Sequence, residues 1–469
     1  MSGPAIPPGD MPPAWPAKMA SGMASGMTGP EAADHPSLIV PQRAVLVLST
    51  PEQHDSRSLR IAATLAGRGH RVTILARRGR DAAATDDAAA TDDTAASEDA
   101  AVFEDTAASG NSPDGYRVVR VGAPPAARAS HPQGALGRVR GEVERLSGIG
   151  LALRRQVREA AAVDPGADLY HGMAYQGIPI ALSLAHRARA RALYDARDLY
   201  PESGNLAGMP APVRAVAGLL ERRWARRSDG IITVNDELAA ILAGRFDRPL
   251  PAVVMNCLPA WTPPSQPDRR FHALLGLAPG TRVVLYHGGF LPSRGIDVLA
   301  TAVLSVRGVA LILMGDGPLR PALERLAGEP RGDGRVHVLP PVPPAELVAW
   351  IAAADVGAMV NQPVSRNERI STPNKLFECL AAGVPVVSSD FPARRRIVID
   401  DPDGPLGAVC DPTDPGAIAG ALRDLLDRSA EGTADLRRRV LAAAHARWTW
   451  ERQAATLLEV YGRLTGRPW

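Results

Sequence analysis

The chain has 469 residues, which is too long for one hydrophobic core and predicts two domains. Its 53 Lys and Arg against 50 Asp and Glu give a formal net charge of +3, too small for an overall nucleic-acid-binding surface. Three cysteines without a Cys-x-x-Cys spacing argue against a disulfide framework and a zinc site, and the lack of a long apolar run or a signal-peptide pattern predicts a cytoplasmic protein.

Two segments of biased composition are expected to lie outside the folded core. Residues 1–40 are rich in Pro, Gly, Ser and Met without periodicity, which is typical of a disordered tail. Residues 81–115 are acidic, Ala-rich and locally repetitive, which predicts a solvated insertion in a surface loop. We assign no chemistry to either segment.

The first predicted domain, residues 41–262, alternates strand and helix patterns. A Val- and Leu-rich run at 43–50, a helical pattern at 55–70 and a second run at 71–77 form one βαβ unit, which favours a parallel sheet with a right-handed crossover. The alternation continues to "AVVMNCLP", as expected of a doubly wound, Rossmann-like domain. The Pro-rich and polar residues that follow predict a linker.

A second series of the same kind occupies residues 270–446. Its strand patterns alternate with helices and lie at 281–289, 309–318, 335–342, 355–360 and 383–390. The sequence therefore predicts an α/β fold of two doubly wound, Rossmann-like domains that face each other across a cleft. Ligands of open α/β sheets bind at the carboxyl ends of the strands, so loops of both domains are expected to build one site.

Two glycine turns follow strands of the second domain. In "YHGGFLPSRG", Gly288 and Gly289 end a strand and leave backbone amides free for an anion beside Arg294, although a tight turn alone also explains them. In "GDGPLR", Gly315 and Gly317 end the next strand without the third glycine of a dinucleotide fingerprint, which argues against NAD. Both turns are expected at one sheet edge, which favours a phosphate site.

The stretch "RISTPNKLFECLAAGVPVVSSD" at 369–390 places Lys375 and Glu378 on one face of a predicted helix, capped by Ser371 or Thr372. The two charges either pair with each other or face the cleft. In the second case the helix N-terminus and Lys375 attract a pyrophosphate, and Glu378 accepts hydrogen bonds from a ribose.

Residues 212–230 form a basic amphipathic helix with an apolar stripe of Val213, Val216, Leu220 and Trp224. Such a helix can lie on an anionic membrane, and the pattern predicts peripheral contact with the inner face of the plasma membrane. The alternative is that the apolar stripe packs against the domain and the arginines face solvent.

These motifs resemble family 4 of the glycosyltransferases. "PNKLFECLAAGVPVV", "YHGGFLPSRG" and "LILMGDGP" look like the nucleotide-sugar-binding half of that family, in its "PNKLFE" branch, and "ALYDARDLYPE" and "RRSDGIITVNDELAAIL" are similar to its N-terminal domain. The resemblance covers roughly residues 43–465. It implies the GT-B fold, with an acceptor-side N-terminal domain and residues 447–469 as a helix that packs back on that domain.

The resemblance implies an enzyme that moves a sugar from a nucleotide-diphosphate sugar to a hydroxyl of a glycan, lipid-linked or small-molecule acceptor, with retention, in cell-envelope polysaccharide biosynthesis. No cofactor or metal is implied, and the acidic triplet at Asp401–Asp403 is expected to be a turn. Two alternatives stay open: a nucleotide-sugar epimerase of the same fold, and a non-catalytic nucleotide-sugar-binding protein.

Carried over position by position, the resemblance implies that Glu378 holds the donor ribose and that Arg294 neutralises the donor diphosphate. The first glutamate of the family's pair, eight residues earlier, is Ile370 here, and Lys375 is expected to supply the lost charge. Arg294, Lys375 and Glu378 form the expected catalytic set. The other expected donor contacts are Gly288, Gly289, Gly315, Gly317, Asn374 and Leu376.

On the acceptor side, the family often presents a histidine after the "YDA" strand, where this chain has Arg197 between Asp195 and Asp198. His171 is a further polar group at the same edge, and all four are candidate sugar or acceptor contacts. No side-chain nucleophile is expected, because retention in the family is explained by a front-face reaction in which the leaving diphosphate helps to deprotonate the acceptor.

Overall fold

The computed structural model describes residues 40–48, 50–51, 55–78, 110–112, 114–121, 153–164, 166–264 and 268–469. The predicted tail at 1–40 lies outside these residues, apart from Val40. The predicted insertion at 81–115 lies outside them as well, apart from its last few positions, where Gly110–Asn111 form a two-residue strand.

The first sheet is formed by the strands before residue 260. These strands are β1 (Arg43–Val47), β2 (Arg71–Arg77), β3 (Gly110–Asn111), β4 (Arg117–Val121), β5 (Leu169–Met173), β6 (Arg191–Ala196), β7 (Gly230–Thr233) and β8 (Ala252–Val253). The helices between them are α1 (Ser56–Gly67), α2 (153–163), α3 (Ala174–Ala188), α4 (Gly204–Ala207), α5 (Ala211–Arg227) and α6 (Asp236–Phe246). The predicted alternation of strand and helix is confirmed.

The strand order in this sheet is β3-β4-β2-β1-β5-β6-β7-β8. All neighbours are parallel except β3 and β4, and β1 pairs with β2 on one side and β5 on the other, so that Leu46 lies opposite both Ile74 and His171. The chain therefore reverses its direction of winding between β1 and β5. Such a switch point opens a crevice at the carboxyl ends of the two strands.

Alternate residues of β1 face opposite sides of the sheet, as the period of two requires. Leu46 packs in an apolar cluster with residues of α1 and of the C-terminal helix. Val45 and Val47 belong to a second cluster with residues of α2 and α3. Helices thus cover both faces of the strand, and its hydrophobic run is fully buried, as expected for a parallel sheet.

The second sheet follows the linker and has the order β11-β10-β9-β12-β13-β14, with every neighbouring pair parallel. Its strands are β9 (Arg282–His287), β10 (Val309–Met314), β11 (Val336–Leu339), β12 (Val356–Met359), β13 (Val386–Ser389) and β14 (Gly407–Cys410). The helices are α7 (Arg270–Leu275), α8 (Ile296–Leu304), α9 (Arg320–Gly328), α10 (Pro344–Ala352), α11 (Arg366–Ile370), α12 (Asn374–Ala381), α13 (Pro392–Val398), α14 (Pro415–Leu426), α15 (Ala430–Arg447) and α16 (Trp450–Thr465).

The start of α12 differs from the prediction. Pro373 is the N-cap and no side chain caps the helix, so the expected cap by Ser371 or Thr372 is wrong. The two hydroxyls have other partners: Ser371 Oγ donates to the Glu368 carbonyl at 3.1 Å, and Thr372 Oγ1 accepts from Asn235 at 3.4 Å. One local contact and one long-range contact thus engage the two hydroxyls that were expected to cap the helix.

The C-terminal helix α16 crosses back to the first sheet. Trp450, Leu457 and Tyr461 lie in the same apolar cluster as Leu46. Trp450 Nε1 donates to Thr64 Oγ1 of α1 at 2.7 Å. The last helix is thus part of the core of the first sheet.

Helix α5 covers only part of the predicted apolar stripe: Trp224 packs against an apolar cluster of the first sheet and contacts the Tyr175 ring. Ala217, Glu221 and Ala225 are buried, whereas Val216 and Leu220, which the packing alternative expected to be covered, are 57% and 40% exposed. Within the described ranges, no helix has the length and hydropathy that a membrane span requires.

Candidate active site

The carboxyl edges of the two sheets meet through α11. Asn367 receives a hydrogen bond from the Leu199 N–H at 2.8 Å and donates to the Asp198 carboxylate at 2.9 Å. A second contact comes from Asn235, the N-cap of α6 in the first sheet's domain. Its amide donates to the carbonyl of Ile370 at 2.9 Å. Loops of both sheets therefore border one region, as the sequence predicts.

Ile370 is a contact between the two halves of the protein. It packs against an apolar cluster of the first sheet that includes Tyr194, Leu199 and Leu238. A glutamate at this position would bring a carboxylate to an apolar surface at a high cost. The departure from the family's pair thus has a structural reason in this chain.

The first glycine turn, at Gly288 and Gly289, lies against the second, at Gly315 and Gly317, which confirms that the two turns share one sheet edge. The Gly288 N–H donates to the Met314 carbonyl at 2.9 Å, and the Phe290 N–H donates to the Asp316 carbonyl at 2.7 Å. A side chain at Gly315 would overlap the Gly288 carbonyl oxygen.

A Cβ atom at Gly317 would lie 2.8 Å from the Phe290 nitrogen, whereas one at Gly289 would meet nothing closer than 3.8 Å. The absence of side chains at Gly315 and Gly317 therefore lets the backbone of the first turn pack directly against the second. At Gly289 the first turn is not crowded in this way, and a Cβ atom would make ordinary van der Waals contact.

Arg294 ends the 3₁₀ turn Pro292–Arg294, directly before α8, and its Nη1 lies 3.3 Å from Glu368 Oε1. Glu368 also accepts from Asn361 Nδ2 at 3.2 Å. The Arg294 and Glu368 side chains are 12% and 17% exposed. A cation and its counter-ion are thus held together beside the first glycine turn, where a bound anion would compete with Glu368 for Arg294.

Arg394, which the sequence analysis missed, fixes the segment that carries Glu368. Its guanidinium is fully buried and donates to the Ser371 carbonyl at 3.1 Å and to Asn361 Oδ1 and Ser389 Oγ at 3.3 Å each. These bonds tie α11 to the ends of β12 and β13. The local sequence does not predict this role of Arg394, because Ser371 and Asn361 lie more than 20 positions away from it.

Glu378 and Lys375 both lie on α12 and extend toward the end of β9. Glu378 Oε2 lies 2.7 Å from His287 Nε2 at the end of β9, and both side chains are 5% exposed. The Lys375 Nζ lies 5.1 Å from the centre of the Tyr286 ring. Both charges thus point to the carboxyl end of β9, beside the first glycine turn.

Two further predicted donor residues have structural roles. Asn374 accepts a hydrogen bond from Asn256, which follows β8, at 2.9 Å, so it joins the two sheets. Leu376 is fully buried in the core of the second sheet and its N–H donates to the Pro373 carbonyl at 3.0 Å. The Leu376 side chain therefore packs in the core of the second sheet.

Across the cleft, a buried ionic network surrounds Asp195. Its carboxylate lies 2.7 Å from Arg57 Nε and 3.3 Å from Arg197 Nε, and Arg197 Nη1 lies 2.8 Å from Asp55. Burial alone would raise the pKa of Asp195, but the two arginines outweigh it and lower the pKa to about 2. The sequence analysis missed Asp55 and Arg57, although both follow β1 at the predicted sheet edge.

His171 is fully buried beneath this network. Its Nδ1 lies 2.8 Å from the Tyr461 hydroxyl of α16, and its Nε2 lies 4.0 Å from Asp195. Burial lowers the pKa of His171 to about 3, so the ring is neutral at physiological pH. His171 and Asp195 are closed to a ligand, and Arg197 and Asp198 are the predicted acceptor-side residues that keep some exposure.

The acidic triplet Asp401–Asp403 is a turn, as predicted. Arg447 lies 2.6 Å from Asp401 and 2.7 Å from Asp403. In the described part of the chain, no three His, Cys, Asp or Glu side chains are grouped so that they could hold a metal ion.

Two doubly wound domains with a site at their facing carboxyl edges define the GT-B class of glycosyltransferase folds. Two family models match the chain: "Glycosyl transferase 4-like domain" over residues 55–259 and "Glycosyl transferases group 1" over residues 281–428. The chain belongs to family 4 of the glycosyltransferases.

Curated relatives match part of the chain. A D-inositol 3-phosphate glycosyltransferase of Xylanimonas cellulosilytica is 30% identical over 55% of this chain and 62% of its own length. A GDP-mannose-dependent alpha-(1-6)-phosphatidylinositol monomannoside mannosyltransferase of Mycolicibacterium smegmatis is 31% identical over 39% of this chain and 48% of its own length. The chain thus spans less than two thirds of the relatives that it matches.

Solved structures match the fold over nearly the whole chain. Sucrose-phosphate synthase from Thermosynechococcus elongatus has a TM-score of 0.65 at 19% identity, over 91% of this chain and 99% of its own. HepE from Anabaena, in complex with UDP and glucose, has a TM-score of 0.60 at 17% identity, over 90% of this chain and 100% of its own. At these identities the similarity shows the fold alone.

Proposed function

We propose that this protein transfers a sugar from a nucleotide-diphosphate sugar to an acceptor hydroxyl. The observation that carries the proposal is the carboxyl end of β9, where the buried pair of Glu378 and His287 directly precedes the first glycine turn and Arg294 ends the same loop. Amide N–H groups and a guanidinium suit a diphosphate, and a carboxylate suits the hydroxyls of a ribose.

Transfer in this site proceeds with retention and without a metal. Arg294 and Lys375 supply positive charge for the leaving diphosphate, which is the main demand of glycosyl transfer on the protein. The open face of the donor lies toward Arg197 and Asp198 on the first sheet, where we place the acceptor. Relatives that act on inositol phosphate and on phosphatidylinositol mannoside support a hydroxyl of a cell-envelope glycan, lipid-linked or small acceptor.

A thermal-shift panel of UDP-, GDP- and ADP-sugars tests the donor site. One nucleotide class should raise the melting temperature of the wild type and leave that of Glu378→Ala unchanged. Glu459→Ala, an exposed glutamate of α16, is the matched control and should respond like the wild type. Equal stabilisation of wild type and Glu378→Ala would contradict the proposed donor site.

Product analysis separates the proposal from its two alternatives. Donor with a hydroxylated acceptor should give a glycoside of unchanged anomeric configuration. An epimerised donor formed without acceptor would identify an epimerase instead, and binding without any turnover would favour a non-catalytic protein.

The predicted basic helix is α5, and its outer face is the part that could contact a membrane. Val216, Leu219 and Leu220 are 57%, 65% and 40% exposed, and Arg222 and Arg223 follow them on the exposed surface. An apolar patch next to arginines suits an anionic bilayer surface. We propose that this face brings the enzyme to a lipid-linked acceptor.

Liposome flotation tests this contact. Binding to phosphatidylglycerol vesicles should exceed binding to phosphatidylcholine vesicles and weaken at high salt, because surface charges are screened. Leu219→Asp should abolish it, whereas Leu274→Asp, a 58%-exposed leucine on α7, should not. Equal binding by both variants would exclude α5 as the membrane contact.

A further inference from the structure

The Glu378 carboxylate has a buried histidine as its partner. His287 is the last residue of β9, one position before the Gly288 turn, and its Nε2 lies 2.7 Å from Glu378 Oε2. The two side chains are each 5% exposed. The pair therefore joins the helix α12 to the strand end that carries the first glycine turn.

The direction of this hydrogen bond follows from the chemistry of its partners. An ionised carboxylate only accepts hydrogen bonds, so Nε2 of His287 carries the proton and donates it to Glu378. In the neutral ring Nδ1 is then an acceptor, and within the described ranges it is buried without a hydrogen-bond partner. An aliphatic residue at this strand position would avoid that cost.

Folding alone thus gives little reason for a histidine at the end of β9. The neighbouring strand residues Val284 and Leu285 are aliphatic and fully buried. In the described part of the chain, the Glu378 carboxylate receives its hydrogen bond at Oε2, from His287, and Oε1 is left for a ligand.

We propose that His287 is a positioning residue for the donor nucleotide. It fixes the Glu378 carboxylate through Oε2, so that Oε1 accepts hydrogen bonds from the ribose hydroxyls. Because His287 is bonded through the backbone to Gly288, it also links the ribose-binding carboxylate to the turn that receives the diphosphate. The inference rests on the proposed function, in which Glu378 binds the ribose.

Two variants that differ by one methylene group test the role. A glutamine at position 287 places an amide N–H about where the imidazole Nε2 lies, whereas an asparagine is too short to reach Glu378. His287→Gln should keep donor recognition and His287→Asn should lose it, although both remove the ring. His337→Asn is the control, because His337 lies on β11 of the same sheet and has a buried ring nitrogen for which the described residues offer no hydrogen-bond partner.

The readout is the ratio of dissociation constants for a nucleoside diphosphate and its 2′,3′-dideoxy form, measured by calorimetry with UDP, GDP and ADP. A hydrogen bond to a charged acceptor gives the wild type a preference of about 10-fold or more for the ribose form. His287→Asn should lower this preference at least about 3-fold. His287→Gln and His337→Asn should keep it.

The outcomes distinguish this inference from the proposed function. A wild type that binds none of the three nucleotides would refute the proposed function itself. A wild type that binds both sugar forms equally would overturn the inference and leave nucleotide binding intact. If His287→Asn weakens both forms equally with the ratio preserved, His287 supports only the fold, and the inference is overturned.

Discussion

Replacing Asp195 with asparagine should destabilise the protein by several kcal/mol, because a buried guanidinium loses its counter-ion. Asp195 is fully buried, and its oxygens accept from Arg57 Nε at 2.7 Å and Nη2 at 3.2 Å. Removing one partner of a buried pair costs about 3–5 kcal/mol. In a domain of roughly 200 residues each kcal/mol is roughly 2–4 °C, so we expect a melting temperature lower by roughly 6–20 °C.

The same carboxylate gives the stability a defined pH dependence. Burial would raise the pKa of Asp195, yet Arg57 and Arg197 bring it down from 3.8 to about 2. Because the folded-state pKa lies below the unfolded one, the contribution is complete above about pH 4 and is lost as the pH falls toward about 2. It amounts to about 2.5 kcal/mol. The difference in melting temperature between wild type and Asp195→Asn should therefore shrink as the pH is lowered from about 5 to about 3.

Thermal unfolding followed by circular dichroism measures both effects. The control is Asp247→Asn, whose carboxylate pairs with Arg226 at the surface, with side chains 70% and 48% exposed. Such a pair contributes about 0–1 kcal/mol, so this variant should melt within about 4 °C of the wild type. Equal melting temperatures for the two variants would refute the claim that the network around Asp195 stabilises the first sheet.

Three further outcomes follow from the site. Gly315→Ala should weaken nucleotide binding about 10-fold or more, because its Cβ overlaps the Gly288 carbonyl and moves the first turn. The control is Gly280→Ala, before β9, whose Cβ would meet no atom within 4 Å and which should bind within about 3-fold of the wild type in calorimetry. Ile370→Glu should lower the melting temperature by several degrees and restore no activity, since the carboxylate enters an apolar contact; higher activity would contradict this. EDTA should leave the transfer rate unchanged while Arg294→Gln lowers it about 100-fold, and a rate that collapses with EDTA would mean that a metal carries the diphosphate charge.

The sequence predicts the alternation of strands and helices well, because buried parallel strands are continuous apolar runs with turns between them. It overestimates the length of β8: the pattern extends over 252–259, but only Ala252–Val253 pair with β7. Beyond them the Met255 N–H donates to the Gln453 side chain of α16 at 2.8 Å. A partner almost 200 positions away replaces the sheet, and no local pattern contains that information.

In the candidate site, too, local patterns predict the position of residues but not their contacts with distant parts of the chain. Motif and sheet edge predict that Glu378, Arg294 and the first glycine turn lie in one region, since the carboxyl ends of parallel strands collect at one place. The contact between His287 and Glu378 is not predicted, because the two residues are 91 positions apart and meet only in the folded second domain. The role of Ile370 also depends on a contact between the two sheets.

The most direct test of the account is the product of the purified protein with the nucleotide sugar that binds best and a hydroxylated acceptor, analysed by NMR. The account predicts a glycoside with the anomeric configuration of the donor, formed by the wild type and at least about 100-fold more slowly by Glu378→Ala. A glycoside formed equally fast by Glu378→Ala, or an epimerised donor formed without acceptor, would contradict it.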